Sequence, residues 1–286
     1  MSERHTGIDL RGNRLFAASL RDESGRLIVD RLVSDFGTLD VQRELQVDGT
    51  VTLAVPDRLV MVKRIQLEAS FSGSLEDRLH FELVQSLLES EDTFHFDYLP
   101  VEGENRYLAM IVRREHLAEI IERYHLEWLR TERRLSFRSR SVALGKGYLT
   151  FGASQDGDLT ALADLAGETA SICFIYHRRI VDIAALPFSH ELLSDAGRER
   201  FAVDLKTLVN YRLSRLFEAG VSVPLGRMLL SGDGIDDDLL RVTQAYFPAG
   251  VDRPRLLDGY FSAGVETARE KLPLYLVALG LAVGSS

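Results

Sequence analysis

Two aspartates stand where a short apolar run meets a polar turn. Asp9 lies in "GIDLRGNRLF", residues 7–16, ahead of Arg11, Gly12, Asn13 and Arg14, after which Leu15 and Phe16 resume the apolar pattern. Asp164 lies in "LTALADLAGETASICFIY", ahead of Ala166, Gly167, Glu168 and Thr169. A third turn, Gly232-Asp233-Gly234, ends the apolar segment "GRMLLSGDG". Carboxylates beside glycine turns can hold a hydrated divalent cation, and backbone N–H groups in such turns can meet an anionic oxygen. The same residues also make an ordinary hairpin of a sheet. Nucleotide mouth and fold turn are both open readings.

The elements that must carry these turns follow from periodicity. "TGIDL", "LFAASLRD" and "LIVDRLV" alternate as a three-strand meander. "GTVTLAVPDRLVMVKRIQL" adds two strands divided near Pro56 and Asp57, and "DFGTLDVQRELQV" reads as a short helix or connector. Leu75, Leu79, Leu83 and Leu87 then form a helical stripe, opened by Ser74 and Asp77 as a capping pair. "FHFDYLPV" and "NRYLAMIVRR" are strands, and "EHLAEIIERYHLEW" is a helix with Leu117, Ile120, Ile121 and Tyr124 on one face.

From Leu159 the chain repeats its opening: an aspartate near the end of an apolar strand, a small-residue turn, another strand and a basic turn at His177 to Arg179. This echo predicts two related subdomains. A long helix follows, with Leu205, Leu208, Val209, Leu213, Leu216 and Phe217 as its apolar stripe and Gly220 as its stop. "IDDDLLRVTQAYF" places acids at the positive end of a further helix, and a last helix is predicted over Leu272 to Leu281.

Composition narrows the chemistry. The 286 residues are 45% hydrophobic and 27% charged with a formal net charge of -9, which fits a globular chain and disfavours a surface given over to nucleic acid. No stretch reaches the roughly 18 apolar residues of a spanning helix, and "MSERHTGIDL" lacks the pattern of a signal peptide, so a cytosolic location is expected. Cys173, the only cysteine, sits in an apolar strand and reads as a buried structural thiol. The histidines form no H-E-x-x-H pair. Asp233, Asp236, Asp237 and Asp238 lack the spacing of a calcium loop, and Ser171 and Ser231 lack a G-x-S-x-G setting. "GKG" at 145–147 lacks the length of a phosphate loop, so Lys146 is assigned no phosphate. The basic run "RTERRLSFRSRS", with Arg130, Arg133, Arg134, Arg138 and Arg140, reads first as a solvated edge, then as a contact for anionic lipid or an acidic partner, and last as one for nucleic acid.

The three turns, in this order and with these strands around them, resemble the actin-like nucleotide-binding fold. Specifically, the chain resembles the PilM-like cytoplasmic proteins of type IV pilus assembly and the related GspL-like and MshI-like secretion proteins. "VPDRLVMVKRIQLE", the leucine-striped helix and "FHFDYLPV" resemble the connecting region of that family, and "LYLVALGLAVG" its terminal helix. The resemblance implies an α/β fold of duplicated, ribonuclease H-like subdomains with mixed sheets flanked by helices. Residues 1–155 would form the first subdomain with an inserted strand–helix region, and 156–286 the second.

It also implies where ATP and Mg²⁺ would sit if bound: Asp9, Gly12 and Asn13 in the first turn, Asp164, Gly167 and Thr169 in the second, Gly232 and Gly234 in the third. Four departures stand out. Arg11 and Ala166 each replace a glycine, Phe16 replaces a lysine, and Asp233 separates glycines that the family keeps adjacent. Asp233 is expected to cap the next helix instead. Glu168 is the one residue that could orient an attacking water. The resemblance therefore implies a non-catalytic scaffold, without cofactor, catalytic residues or metal. Its expected partners are the cytoplasmic tail of a bitopic PilN-like inner-membrane protein, the assembly ATPase and further copies of itself, with no nucleic acid and no membrane span of its own. It would be cytoplasmic and peripheral to the inner membrane through those partners. An actin-like ATPase with divergent turns and a nucleotide-independent polymerising or dimerising module are the alternatives. A tail groove is expected around Phe71, Leu75, Leu79, Phe94, Phe96 and Tyr98, residues that also suit a core.

Overall fold

The computed structural model describes residues 4–12, 14–36, 49–67, 74–85, 87, 90–101, 105–132, 135–153, 157–167, 169–188, 194–262, 265 and 269–283. Asn13, Phe71, Arg133, Arg134, Glu168 and most of the 35–47 connector lie outside them.

Two sheets share one topology. In the first, β1 (Arg4–Arg11), β2 (Arg14–Glu23) and β3 (Arg26–Phe36) form the antiparallel meander, and β4 (Thr50–Val55) and β8 (Leu135–Ser139) add in parallel, giving the order β3-β2-β1-β4-β8. In the second, β9 (Leu159–Ala166), β10 (Thr169–Tyr176) and β11 (Arg179–Pro187) repeat the meander, and β12 (Leu225–Gly232) and β13 (Val251–Asp252) the parallel pair, in the order β11-β10-β9-β12-β13. This is the duplicated actin-like α/β architecture that the internal echo predicts. The duplication holds to the residue. Asp9 lies two positions before β1 ends and Asp164 two before β9 ends, with Phe16 and Ser171 as their cross-strand partners. Gly12 and Gly167, each just past its strand, have positive φ of 63° and 62°, the backbone that a tight hairpin turn demands.

A third, antiparallel sheet is inserted between β4 and β8. It comprises β5 (Met61–Gln66), β6 (Phe94–Pro100) and β7 (Arg106–Arg113) in the order β5-β7-β6, with helices α1 (Leu75–Val84) and α2 (Arg114–Arg123). Ser74 caps α1 as expected, its hydroxyl accepting from the Asp77 N–H at 3.1 Å. Leu79 and Leu83 are buried beneath α1, whereas Leu75 is exposed at the first turn, before the helix reaches the sheet.

Helix α3 (Arg140–Phe151) lies in the segment that sequence reading gave to a solvated edge and an isolated "GKG". Ser139 caps it, and Asp57, from the connector after β4, supports the same end by accepting from the Ser141 N–H at 3.1 Å and its hydroxyl at 2.6 Å. The solvated-edge reading is wrong for Arg138 and Arg140, which are 8% and 4% exposed. The last helix, α6 (Leu276–Ala282), crosses α3 at very close range. A Cβ at Gly280 would strike the Ala143 carbonyl, one at Gly147 the Leu276 carbonyl, and one at Gly145 the Cys173 sulfur. The "GKG" glycines thus admit backbones and the buried thiol rather than phosphate. Gly7 of β1 makes the same allowance for the Ala278 carbonyl of α6. One continuous core results: Leu162, Cys173 and Leu229 of the second sheet pack with Ala54 of the first, Val142 and Leu144 of α3 and Leu276 of α6. Each leucine and valine among them contributes about 1.5–3 kcal/mol on burial, so the two halves are joined by apolar area as well as by charge.

The outer layer of the second half is the long helix α4 (Asp195–Glu218), capped by Ser194, and α5 (Asp237–Gln244). Phe201, Leu205, Val209 and Leu216 face the sheet. Phe217, predicted for that stripe, is 65% exposed, because a 3.6-residue period that buries Leu216 turns its neighbour outward. Asp236 caps α5, accepting from the Leu239 N–H at 2.7 Å, so the capping role expected of Asp233 falls to a different aspartate. Among the described residues no helix is long and apolar enough to cross a membrane.

Candidate functional site

The two equivalent aspartates face each other across the junction of the sheets, and a guanidinium lies between them. Arg140, first residue of α3, donates from Nε to Asp9 Oδ1 at 2.8 Å and from Nη2 to Asp9 Oδ2 at 3.0 Å, and Nη2 also donates to Asp164 Oδ2. Arg11 donates from Nε to Asp9 Oδ2 at 2.6 Å, from Nη2 to the Leu274 carbonyl at 2.8 Å, and lies 3.5 Å from Asp164. Ser231, at the end of β12, donates to the remaining Asp164 oxygen at 2.7 Å. Every oxygen of both carboxylates therefore already accepts from the protein. Asp9 and Asp164 are fully buried, and Arg11 and Arg140 nearly so.

Electrostatics follow this geometry. Burial raises the Asp9 carboxyl, but Arg140 and Arg11 outweigh it and hold the group at about 2. Burial disfavours the Arg140 cation, yet Asp9 and Asp164 reverse this and raise its proton affinity above the ordinary value. A cation at a helix N-terminus opposes the helix dipole, so these carboxylates, with Asp57 beside them, are what make the position tenable.

The third turn joins the same network. Asp233 pairs with Arg14 and lies 3.5 Å from Arg11 Nη1. Phe16 sits beneath both guanidiniums, with its ring centroid 4.4 Å from Arg11 and 5.0 Å from Arg14, and an edge-on Tyr275 ring lies 5.4 Å away in the apolar cluster that Phe16 joins. The aromatic residue in place of a lysine is thus a platform for two arginines. Gly232 has φ of 106°, and a Cβ there would strike the Leu165 carbonyl, so it is fixed by β9–β12 packing. Gly234, with φ of 79°, meets open space. Gly12 is exposed, and its carbonyl accepts from the Tyr124 hydroxyl at 2.8 Å, while Thr169 is half-buried at the start of β10.

Mg²⁺ with a nucleotide does not suit these residues. Metal would need free carboxylate oxygens at Asp9 or Asp164, and Arg11, Arg140 and Ser231 hold them. Phosphate would need unoccupied donors, and Arg14 and Arg140 are bound to carboxylates; of the three arginines Arg11 alone keeps a buried donor without a hydrogen bond, its Nη1, and that atom lies 3.5 Å from the Asp233 carboxylate. A cleft of about 980 Å³ opens beside Asp233 and Gly234. Among its lining cations Arg14 is bound to Asp233, and Arg253 to Asp237 and the Ile235 carbonyl, while the exposed Arg255 also lines it. Asp252, Asp258 and Glu270 add negative charge on the same wall. Among the described residues no cluster of metal-ligating side chains occurs elsewhere.

A second concave feature lies on the first half. An apolar groove of about 300 Å³ runs between α2 and β8, lined by Leu117, Ala118, Ile121, Leu129, Leu135 and Phe137, with Arg114 at its rim. β8 is the outer strand of its sheet among the described residues, so backbone donors and acceptors border the groove. The region where sequence reading expected a groove is different. Leu79 and Phe94 are core, Phe96 and Tyr98 are half-buried, and the hollow beside them is lined by Glu76, Asp77, His80, His95 and Arg114 as well.

Asp9, Asp164, Arg11 and Asp233 of the three turns lie together, joined by Arg140 and Ser231, which are not among the expected site residues. Sequence reading weighs Ser231 only as a nucleophile and sets it aside for want of a G-x-S-x-G setting. Arg140 follows the capping Ser139, and the apolar run after it was the available signal of a helix start.

No protein-family model matches the chain, and no curated protein matches it in sequence. Its fold, however, is shared with solved structures. Against a chain of the PilM-PilN type IV pilus biogenesis complex the TM-score is 0.68, at 14% identity over 98% of this chain and 97% of that one. Against the cytoplasmic domain of EpsL, an inner-membrane component of the type II secretion system of Vibrio cholerae, it is 0.53, at 12% identity over 99% and 97%. Such likeness defines a protein of the actin-like fold.

Proposed function

We propose that the chain is a nucleotide-independent scaffold of a type IV pilus or related secretion machine, cytoplasmic and held at the inner membrane through a partner. The observation that carries this reading is Arg140, whose guanidinium lies between Asp9 and Asp164 where an actin-like ATPase would place its metal and phosphates. A fold that closes on its own side chains has its shape set without ATP. The partner in this reading is the cytoplasmic tail of a PilN-like bitopic protein, bound as an extended segment in the groove between α2 and β8. Apolar lining, a bordering strand edge and a rim arginine are the ingredients of β-strand addition. The structural likeness to a chain of a pilus complex and to a secretion-system component supports the setting.

The test is co-purification of the full chain from native membranes with mass spectrometry, with and without Mg-ATP. Binding of synthetic cytoplasmic tails of the recovered inner-membrane proteins is then measured. Recovery of one bitopic protein, with tail affinity indifferent to ATP, is the expected result. A saturable Mg-ATP complex that is lost in Asp9→Ala would replace this reading with the ATPase one.

A further inference from the structure

Helix α4 carries on its solvent side a face that its role in the fold does not explain. Val203, Thr207, Asn210, Ser214 and Phe217 lie within about 80° of arc and run along about 21 Å of the helix. All five are exposed, Val203 at 42% and Phe217 at 65%, and the neighbouring Tyr211 at 56%. No charge interrupts the stripe in a chain that is 27% charged. The two hydroxyls are turned into the helix, Thr207 donating to the Val203 carbonyl at 2.9 Å and Ser214 to the Asn210 carbonyl at 3.1 Å. Apart from the Asn210 amide at its centre, the face therefore presents mainly carbon to water, while Leu205, Val209 and Leu216 hold the opposite side on the core.

The flanks indicate the occupant. One turn before Val203, in line with the face, Glu199 accepts from the Tyr246 hydroxyl at 3.0 Å, and on one flank Lys206 lies 5.8 Å from the Tyr246 ring, so this end and this side are tied back to the body of the molecule. The other side carries Arg200, Asp204, Arg215 and Glu218, which project into solvent. Within the chain they form only long contacts, Arg200 to Asp204 at 3.9 Å and Arg215 to Glu218 at 3.8 Å. Read antiparallel against itself, the order positive, negative, positive, negative becomes complementary. Arg200 faces Glu218 of a second copy, and Asp204 faces Arg215. In the same register Val203 faces Phe217, Thr207 faces Ser214, and Asn210 faces itself. The midpoints of all these pairs fall within residues 209–211, as a two-fold axis across one helix requires.

We infer that the outer face of α4 is a self-association surface, through which two copies of this chain pair by antiparallel packing of α4 on α4. This holds independently of what the α2–β8 groove takes. The contact is small and both copies are acidic, so the dimer is weak and concentration-dependent, as expected of interfaces below about 1,200 Å².

Sedimentation velocity of the full chain across a concentration series tests it. The expected result is a monomer–dimer equilibrium that Phe217→Glu weakens by about tenfold or more. Arg200→Glu with Arg215→Glu is expected to weaken it too, and adding Asp204→Arg with Glu218→Arg to restore it, since the full exchange keeps the pattern complementary. Asn210→Cys, at the axis, is expected to oxidise to a covalent dimer, whereas Glu199→Cys is not. All these positions are exposed, and circular dichroism checks that folding is unchanged. A chain that stays monomeric throughout the series overturns the inference. So does a dimer indifferent to Phe217→Glu, or one that Glu199→Cys cross-links and Asn210→Cys does not.

Discussion

Arg140 and Asp9 share two hydrogen bonds, Nε to Oδ1 at 2.8 Å and Nη2 to Oδ2 at 3.0 Å, across 131 residues of sequence. The same Nη2 reaches Asp164, the residue that the duplicated sheet makes equivalent to Asp9. The pair of acids that the duplication creates is thereby neutralised from within, by an arginine placed at the start of the helix joining the two halves.

Removing Arg140 should be costly. Arg140→Met leaves two buried carboxylates short of a counter-charge, and breaking a buried pair from one side costs about 3–5 kcal/mol. Urea denaturation is expected to show a loss of that order, and Arg140→Met with Asp9→Asn and Asp164→Asn to recover part of it. A single variant as stable as the parent would mean that the bridge does not hold the halves.

Acid should act through Asp9. Its carboxyl is held at about 2, against 3.8 for the ordinary group, by Arg140 and Arg11 in opposition to burial. A carboxyl lowered on folding contributes stability that is complete above its unfolded value and is lost as pH falls through its folded value. The contribution, on the order of 2 kcal/mol, is therefore present above about pH 4 and disappears towards pH 2. The stability gap between the parent and Asp9→Asn is expected to narrow over that interval in denaturant titrations at stepped pH.

Asp182 should behave in the opposite sense. This residue of β11 is buried, and burial raises its carboxyl despite Arg64 of the inserted sheet at 3.0 Å and Arg212 of α4 at 3.6 Å. A raised carboxyl favours folding at low pH and opposes it once ionised, so its ionisation costs stability at neutral pH. Asp182→Asn is expected to match or exceed the parent in thermal stability at pH 7, with any advantage shrinking as pH falls towards the ordinary carboxylate range.

Much of this arrangement was legible in the sequence. The strand–turn–strand repeat around Asp9 and Asp164 was visible because a hairpin writes its period of two and its turn glycine locally. Helix α3 was not, because arginines precede it and Gly145 and Gly147 weaken its pattern. Its close packing on Cys173 and α6, a tertiary fact, is what those glycines serve. Arg140 was hidden among five arginines that look alike in sequence, and only a partner 131 residues away distinguishes it. The spacing places Phe217 in the apolar stripe of its helix, but it lies about 100° round the helix from the buried Leu216 and faces solvent.

The groove between α2 and β8 should be separable from the fold. Ala118 lines it from a half-buried position on α2, so a large side chain there fills the groove without displacing the core beneath Leu117 and Ile121. Ala118→Trp is expected to lower affinity for a cytoplasmic tail peptide by about tenfold or more. Its urea midpoint should stay within about 0.5 kcal/mol of the parent, as a surface substitution does. Phe81→Ala, at an exposed site on α1, serves as the control and should leave tail affinity unchanged. If the tail binds Ala118→Trp as well as it binds the parent, it lies elsewhere, and the exposed residues of the inserted sheet, Met61 and Val62 of β5, become the next edge to probe.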